Sequence, residues 1–277
     1  MKYKIIVSSV LALFLGVSCE DFFQSEVTPP DSYSETKLIV HGYLTPTEAP
    51  TVSISESTPI FGEAGSRPPI GNAVVELSDD GGNKVLLLPI GGDRFGTSQA
   101  NFPIESGKTY YISVSAPNDK KASAQCTVPL MTARQIDNVR MIRSRTDGME
   151  ALQIAFDFQD NQGERNYYMA RGTYHTSWGV SVSIDFQPFT DTNNEGKTIY
   201  ARSEKYSTST ALEEIKKIDI ELYEVDVHLY DYFRTILLQQ KSEDLGAFAE
   251  PVMLISNIND GFGVFGGYTK QSISVDF

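Results

Sequence analysis

Between Lys37 and Pro129 the chain is divided into short apolar–polar alternations separated by turn residues, a pattern that admits little besides layered antiparallel β structure. Leu38-Ile-Val-His-Gly-Tyr-Leu and Thr51-Val-Ser-Ile-Ser read as strands. Ala73-Val-Val-Glu-Leu-Ser runs into Asp79-Asp-Gly-Gly-Asn, a hairpin signal, and out again through Lys84-Val-Leu-Leu-Leu. Thr109 to Ser115, entered through the turn Ser106-Gly107-Lys108, and Ala122 to Val128 complete six or seven strands. This spacing predicts an immunoglobulin-like or transthyretin-like antiparallel β-sandwich over residues 37–130.

A second block, 131–277, carries longer alternations: Leu152 to Phe158, Tyr167 to Tyr174, Val180 to Phe186 and Lys217 to Tyr223. Leu229, Tyr230, Phe233, Ile236, Leu237 and Gln240 fall at three- and four-residue spacing, which predicts one amphipathic helix near 227–241 with Asp226 as its N-cap. Its apolar stripe should cover a sheet. The tail from Pro251 to Phe277 alternates again and is expected to form strands with tight turns. There Gly261, Gly263, Gly266 and Gly267 would supply positive φ or close backbone approach. The fold class is therefore mainly β, a sandwich followed by a second β-rich domain with one helix.

Upstream, Lys2 and Lys4 precede an apolar run from Ile5 to Leu15 and then Gly16-Val17-Ser18-Cys19. A charged start, a short apolar stretch and small residues before a cleavage point mark a secretory signal over 1–18, too short to span a bilayer. A cysteine in that place is the acceptor of a bacterial lipoprotein's diacylglycerol, although Gly16 stands where Leu is usual three places before it. Two or three acyl chains on Cys19 would hold the protein stably at a membrane. Residues 19–36 are acidic, contain prolines and lack periodicity, so they read as a tether.

Removing the leader takes away Lys2 and Lys4 and leaves 21 basic against 36 acidic residues, a net charge of −15. Nucleic acid is excluded as a partner, because its phosphates need clustered Lys and Arg. With Cys19 lipidated, Cys126 is the one remaining thiol, and its place in an alternating strand makes it a small buried hydrophobe.

Chemistry-bearing patterns are sparse. His41, His175 and His228 are far apart in sequence, and none has metal-ligand spacing. A hydrolase would require His175 or His228 to cluster with a Ser and an Asp in a cleft. Asp191, Asn193 and Glu195 occupy the first, third and fifth positions of a calcium-like loop with Gly196 sixth, but Arg202 stands twelfth, where a bidentate Glu belongs. Trp178 with Tyr174 is a weak candidate for a sugar-stacking platform. No cofactor and no enzymatic activity are expected.

Taken in order, Cys19-Glu-Asp, Lys37-Leu-Ile-Val-His-Gly-Tyr-Leu, Thr51 to Phe61, Ile70-Gly-Asn-Ala-Val-Val-Glu-Leu, Ile104-Glu-Ser-Gly-Lys-Thr-Tyr-Tyr-Ile, Asp160 to Tyr168 and Pro251 to Gly266 resemble the lipoprotein family catalogued as domain of unknown function 4249. The resemblance covers nearly the whole chain. It implies an outer-membrane lipoprotein, associated with a TonB-dependent β-barrel transporter, with the acidic residues after Cys19 directing it to the cell surface. The first half is also similar to carboxypeptidase-regulatory β-sandwiches, which are accessory modules. Three readings follow: an accessory binding component of an uptake system, a stand-alone glycan- or peptide-binding surface lipoprotein, and an extracytoplasmic hydrolase.

Replacing Cys19 by Ala is expected to abolish acylation and leave the leader attached, read as an intact mass that retains residues 1–18 and carries no acyl chain. Intact mass of the purified wild-type protein should show Cys19 acylated at the new N-terminus.

Overall fold

The computed structural model describes residues 36–58, 70, 72–146, 149–163, 165–208, 212–243 and 252–277. The leader, Cys19 and the tether up to Glu35 lie outside the described residues. From Thr36 onward the described residues belong to one compact unit.

Alternation becomes strand as expected. In the first half these are β1 (Leu38–Leu44), β2 (Thr51–Glu56), β3 (Val74–Asp79), β4 (Lys84–Gly91), β5 (Arg94–Gly96), β6 (Thr109–Ser115) and β7 (Lys121–Thr127). In β6 and β7 every second side chain is buried, so Tyr110, Ile112, Val114, Ala122, Ala124 and Cys126 point into one core with Leu38, Val52, Ile54, Val75, Leu77 and Phe95. Burial pushes the Cys126 thiol up, which makes it an inert filler of that core.

The second half contains β8 (Ile136–Thr146), β9 (Met149–Gln159), β10 (Tyr167–Thr176), β11 (Ser181–Asp185), β12 (Phe189–Thr190), β13 (Thr198–Arg202), β14 (Tyr206–Ser207) and β15 (Ile215–Val225). A four-stranded sheet of β8, β9, β13 and β14 contributes Leu152, Ile154, Phe156 and Phe158 to a second core. Tyr168, Ala170 and Tyr174 of β10 and Ile218, Ile220 and Leu222 of β15 fill it from the other side. The layers meet closely at Gly172, where a Cβ would stand 2.6 Å from the Ile154 side chain. Tyr167 and Tyr168 point to opposite faces, Tyr168 into this core and Tyr167 against Tyr230 of the helix.

The helix, α1 (Val227–Glu243), begins where its cap was expected. Asp226 Oδ1 accepts the Leu229 N–H at 2.9 Å, and Oδ2 accepts the Gly267 N–H at 3.2 Å. Leu229 and Tyr232 bury the helix stripe in a third, smaller cluster with Val225 and Val264.

The C-terminal segment differs from expectation. Gly261–Asp276 is one continuous strand, β16, and its glycines lie inside it, not at turns between short strands. Residues 261–267 pair in parallel with β1, Leu38 opposite Gly261 through Leu44 opposite Gly267. Residues 268–276 pair antiparallel with β15, Val225 opposite Tyr268 through Lys217 opposite Asp276. One strand thus joins a 12-stranded sheet in the order β11-β10-β15-β16-β1-β2-β5-β4-β3-β6-β7, with β12 also on β10. Blocks 37–130 and 131–277 keep separate cores, yet Phe265 lies in the first and Ile273 packs on the second.

The glycines make this passage possible. Gly263 has φ +106°, and a Cβ there would lie 2.1 Å from the Val40 carbonyl oxygen; at Gly267 it would lie 2.6 Å from the Val128 Cα. The interblock segment is fixed to the same strand by the Arg134 N–H, which donates to Gln271 Oε1 at 2.8 Å, and to β15 by the buried Arg134 guanidinium, which pairs with Glu224.

Gly263→Ala is expected to lower the unfolding free energy by about 3 kcal/mol or more in urea titration, since both backbone strain and a steric clash are introduced. A pH effect follows from Asp226. Burial, opposed by its hydrogen bonds to Leu229 and Gly267, pushes this carboxyl up to about 6. A folded value above the unfolded one favours folding fully at low pH, and that contribution disappears as pH rises from about 4 through about 6. Wild type should therefore lose up to about 3 kcal/mol relative to Asp226→Asn across that interval and stay level above it, as read from parallel urea titrations.

Candidate functional site

On the first block the side chains facing away from the core form two adjacent rungs across three strands. Glu76, Ser113 and Ser123 are register partners along one; Ser78, Tyr111 and Gln125 are partners along the next. Because strand side chains alternate, placing Leu77, Ile112 and Ala124 in the core compels these neighbours outward. A wall rises at the β7 edge, where Ser123 exchanges backbone hydrogen bonds with Asn259. Asn257 holds that wall in place: its Nδ2 donates to the Gln125 and Phe265 carbonyls and its Oδ1 accepts the Phe265 N–H. His228, in the first turn of α1, completes a cavity of about 490 Å³. Its floor offers one carboxylate, three hydroxyls, a carboxamide and the half-exposed Tyr111 ring. Glu76 is already paired with Lys84 at 2.8 Å. Such a surface suits a ligand with interspersed donors and acceptors and a flat face to set on tyrosine.

A second constellation lies on the other block. The β10–β11 hairpin puts His175 opposite Ser181, and β15 puts Lys217 opposite His175 with Asp219 one rung on. His175 Nδ1 is 2.7 Å from Ser181 Oγ, and Nε2 is 2.7 Å from Asp219 Oδ2. The other Asp219 oxygen accepts from Lys217 Nζ at 2.8 Å and from Ser274 Oγ at 2.6 Å. Partial burial works against the charge of Asp219, but the hydrogen bonds from Lys217, Ser274 and His175 outweigh it and hold the carboxyl down to about 2. In the neutral imidazole, an ionised Asp219 places the His175 proton on Nε2 and leaves Nδ1 to accept the Ser181 hydroxyl. His175 thus has a Ser and an Asp beside it, but on an open sheet face and not in the cleft that the hydrolase reading requires; His41 Nε2 meets Tyr232 Oη at 2.9 Å and His228 borders the first-block cavity.

The other sequence candidates fall elsewhere. Tyr174 is 1% exposed and belongs to the second core, so its ring cannot stack on a ligand beside Trp178, which is 57% exposed in the Thr176–Val180 turn. The pairing of Trp178 with Tyr174 as a platform is thus corrected by strand parity: Tyr174 points to the inner face. Asp191 is 2% exposed and its Oδ2 accepts the Asn166 N–H at 2.9 Å, while Glu195 Oε1 accepts the Gly163 N–H at 3.0 Å. Asn193 adopts φ 69° as a turn residue. These oxygens tie two loops together, and no group of three or more His, Cys, Asp or Glu able to hold a metal occurs among the described residues. Cys19 lies outside the described residues.

A family model described as Domain of unknown function (DUF4249) matches residues 24–274. The chain belongs to the DUF4249 family. No curated protein matches it. Among solved structures, this DUF4249 chain is similar to a two-domain fibronectin type-III segment of chicken tenascin, at 11% identity, covering 88% of this chain and 100% of that one with a TM-score of 0.23. It is also similar to the BSP domain of a biofilm-associated protein, at 8% identity, covering 91% of this chain and 61% of that one with a TM-score of 0.19. At those scores neither likeness bears on function. Within the DUF4249 chain, the described parts of the segments that carry the family resemblance fall on β1, β2, β3, β6, the loop entering β10, and β16 with the Asn257 and Asn259 wall, while Cys19-Glu-Asp lies outside the described residues.

Proposed function

We propose that this protein is a lipid-anchored outer-membrane binding lipoprotein that captures a polar oligomeric cargo, a glycan or a peptide, for a TonB-dependent β-barrel transporter. The observation that carries this reading is the walled cavity over the Glu76/Ser113/Ser123 and Ser78/Tyr111/Gln125 rungs, whose groups recognise hydroxyls and amides by hydrogen bonding. Capture of this kind needs no bond-making. The lipoprotein leader and the acidic tether read from the sequence support placement at an envelope surface. Beside the rungs, Leu86, Leu88 and Ile90 of β4 and Val74 of β3 are all more than half exposed, and they give the transporter an apolar row to contact next to the cargo.

The test uses the native lipidated protein in mild detergent. Co-purification of a β-barrel transporter, lost on Leu86→Asp/Leu88→Asp, is expected; recovery of free monomer alone, with the transporter expressed, overturns the partnership. On glycan and peptide arrays Tyr111→Ala should reduce binding about tenfold without changing the melting temperature, since loss of an aromatic contact costs on the order of 1 kcal/mol.

A further inference from the structure

Ser181, His175 and Asp219 carry an inference that is independent of the first-block cavity. We propose that Ser181 is a base-activated nucleophile that accepts acyl and phosphonyl groups from activated donors, with His175 as general base and Asp219 as the positioning residue. The geometry meets the demands of the chemistry in order. The hydroxyl is within 2.7 Å of an imidazole nitrogen, and the opposite nitrogen is within 2.7 Å of a carboxylate that is itself fixed by Lys217 and Ser274. The roles need only one ring nitrogen protonated and the other open, and here Nε2 and Nδ1 fill them.

In the acylation step Ser181 Oγ bonds to the carbonyl carbon of an ester while its proton passes to His175 Nδ1. The tetrahedral adduct collapses, the carbon–oxygen bond to the leaving group breaks, and the departing oxygen takes the proton from His175. Water then repeats the sequence: His175 removes its proton, hydroxide bonds to the acyl carbon, and Ser181 leaves and is reprotonated, releasing a carboxylic acid. The side chains of His175 and Asp219 are 31% exposed, so the oxyanion forms at an open sheet face and the gain comes from the base, worth about 10²–10⁴-fold. That selects donors with good leaving groups, aryl esters and phosphonofluoridates, over amides.

The molecule contains its own control. Ser183 lies two residues along the same face of β11 and is hydrogen-bonded to Thr173 Oγ1 at 2.8 Å, where Ser181 has an imidazole. The full chain is treated with an alkyl phosphonofluoridate, in which the Ser181 Oγ–P bond forms and fluoride departs, and peptides are read by mass spectrometry. Adduct at Ser181 at least tenfold above Ser183 is expected, falling to the Ser183 level in His175→Gln. Asp219→Ala should lower it and Asp219→Glu restore part of it, a recovery that loss of packing alone would not give. p-Nitrophenyl acetate should release a burst of p-nitrophenol that Ser181→Ala abolishes. Equal labelling of Ser181 and Ser183 in the wild-type protein, which needs no variant to fold, overturns the proposal. So does labelling unchanged in His175→Gln.

Discussion

The fold depends on one strand being hydrogen-bonded on both edges to different parts of the chain. β16 gives its first seven residues to β1 and its remainder to β15, so a single backbone is the shared boundary of two cores. A strand so placed must bring its backbone within contact of Val40 on one side and Val128 on another, and only residues without a Cβ can occupy those points. Asp226 then links the same strand to the start of α1 through the Gly267 N–H. Strand, helix cap and interblock segment are therefore fixed to one another by a few hydrogen bonds between side chain and backbone, beside the apolar cluster of Val225, Leu229, Tyr232 and Val264.

Much of this was legible in the sequence because local rules govern it. Alternation located β1, β2, β3, β6 and β7, three- and four-residue spacing located α1, and Asp226 was the right residue to satisfy its first turn. Cys126 sat in an alternating strand and is indeed core. The parallel pairing of β1 with β16 was not legible, since it joins positions more than 200 residues apart and leaves no mark on either segment. Glycines in β16 looked like turn punctuation because close packing and positive φ call for the same residue.

Site residues divide the same way. Tyr174 was read by its type, an aromatic near a tryptophan, whereas the face it occupies is set by strand parity counted from its register partners in β15. Ser181 was within reach of sequence reasoning: His175 and Ser181 flank a short turn through Trp178 and Gly179, and such a hairpin makes them cross-strand neighbours. Asp219 was not, because it depends on which later strand adds to the outer edge of β10. The cavity on the first block was half legible, in that the polar positions of β3, β6 and β7 had to face outward, but its wall comes from Asn257 and Asn259, far along the chain.

The pairing of the first described strand with the last has a bearing on the order in which the sheet can close. Contacts of high sequence separation are slow to form even once both partners are free. With Leu38–Leu44 waiting for Gly261–Gly267, this ladder closes only after the intervening chain has been made. The topology itself acts as a timer on the joining of the two cores.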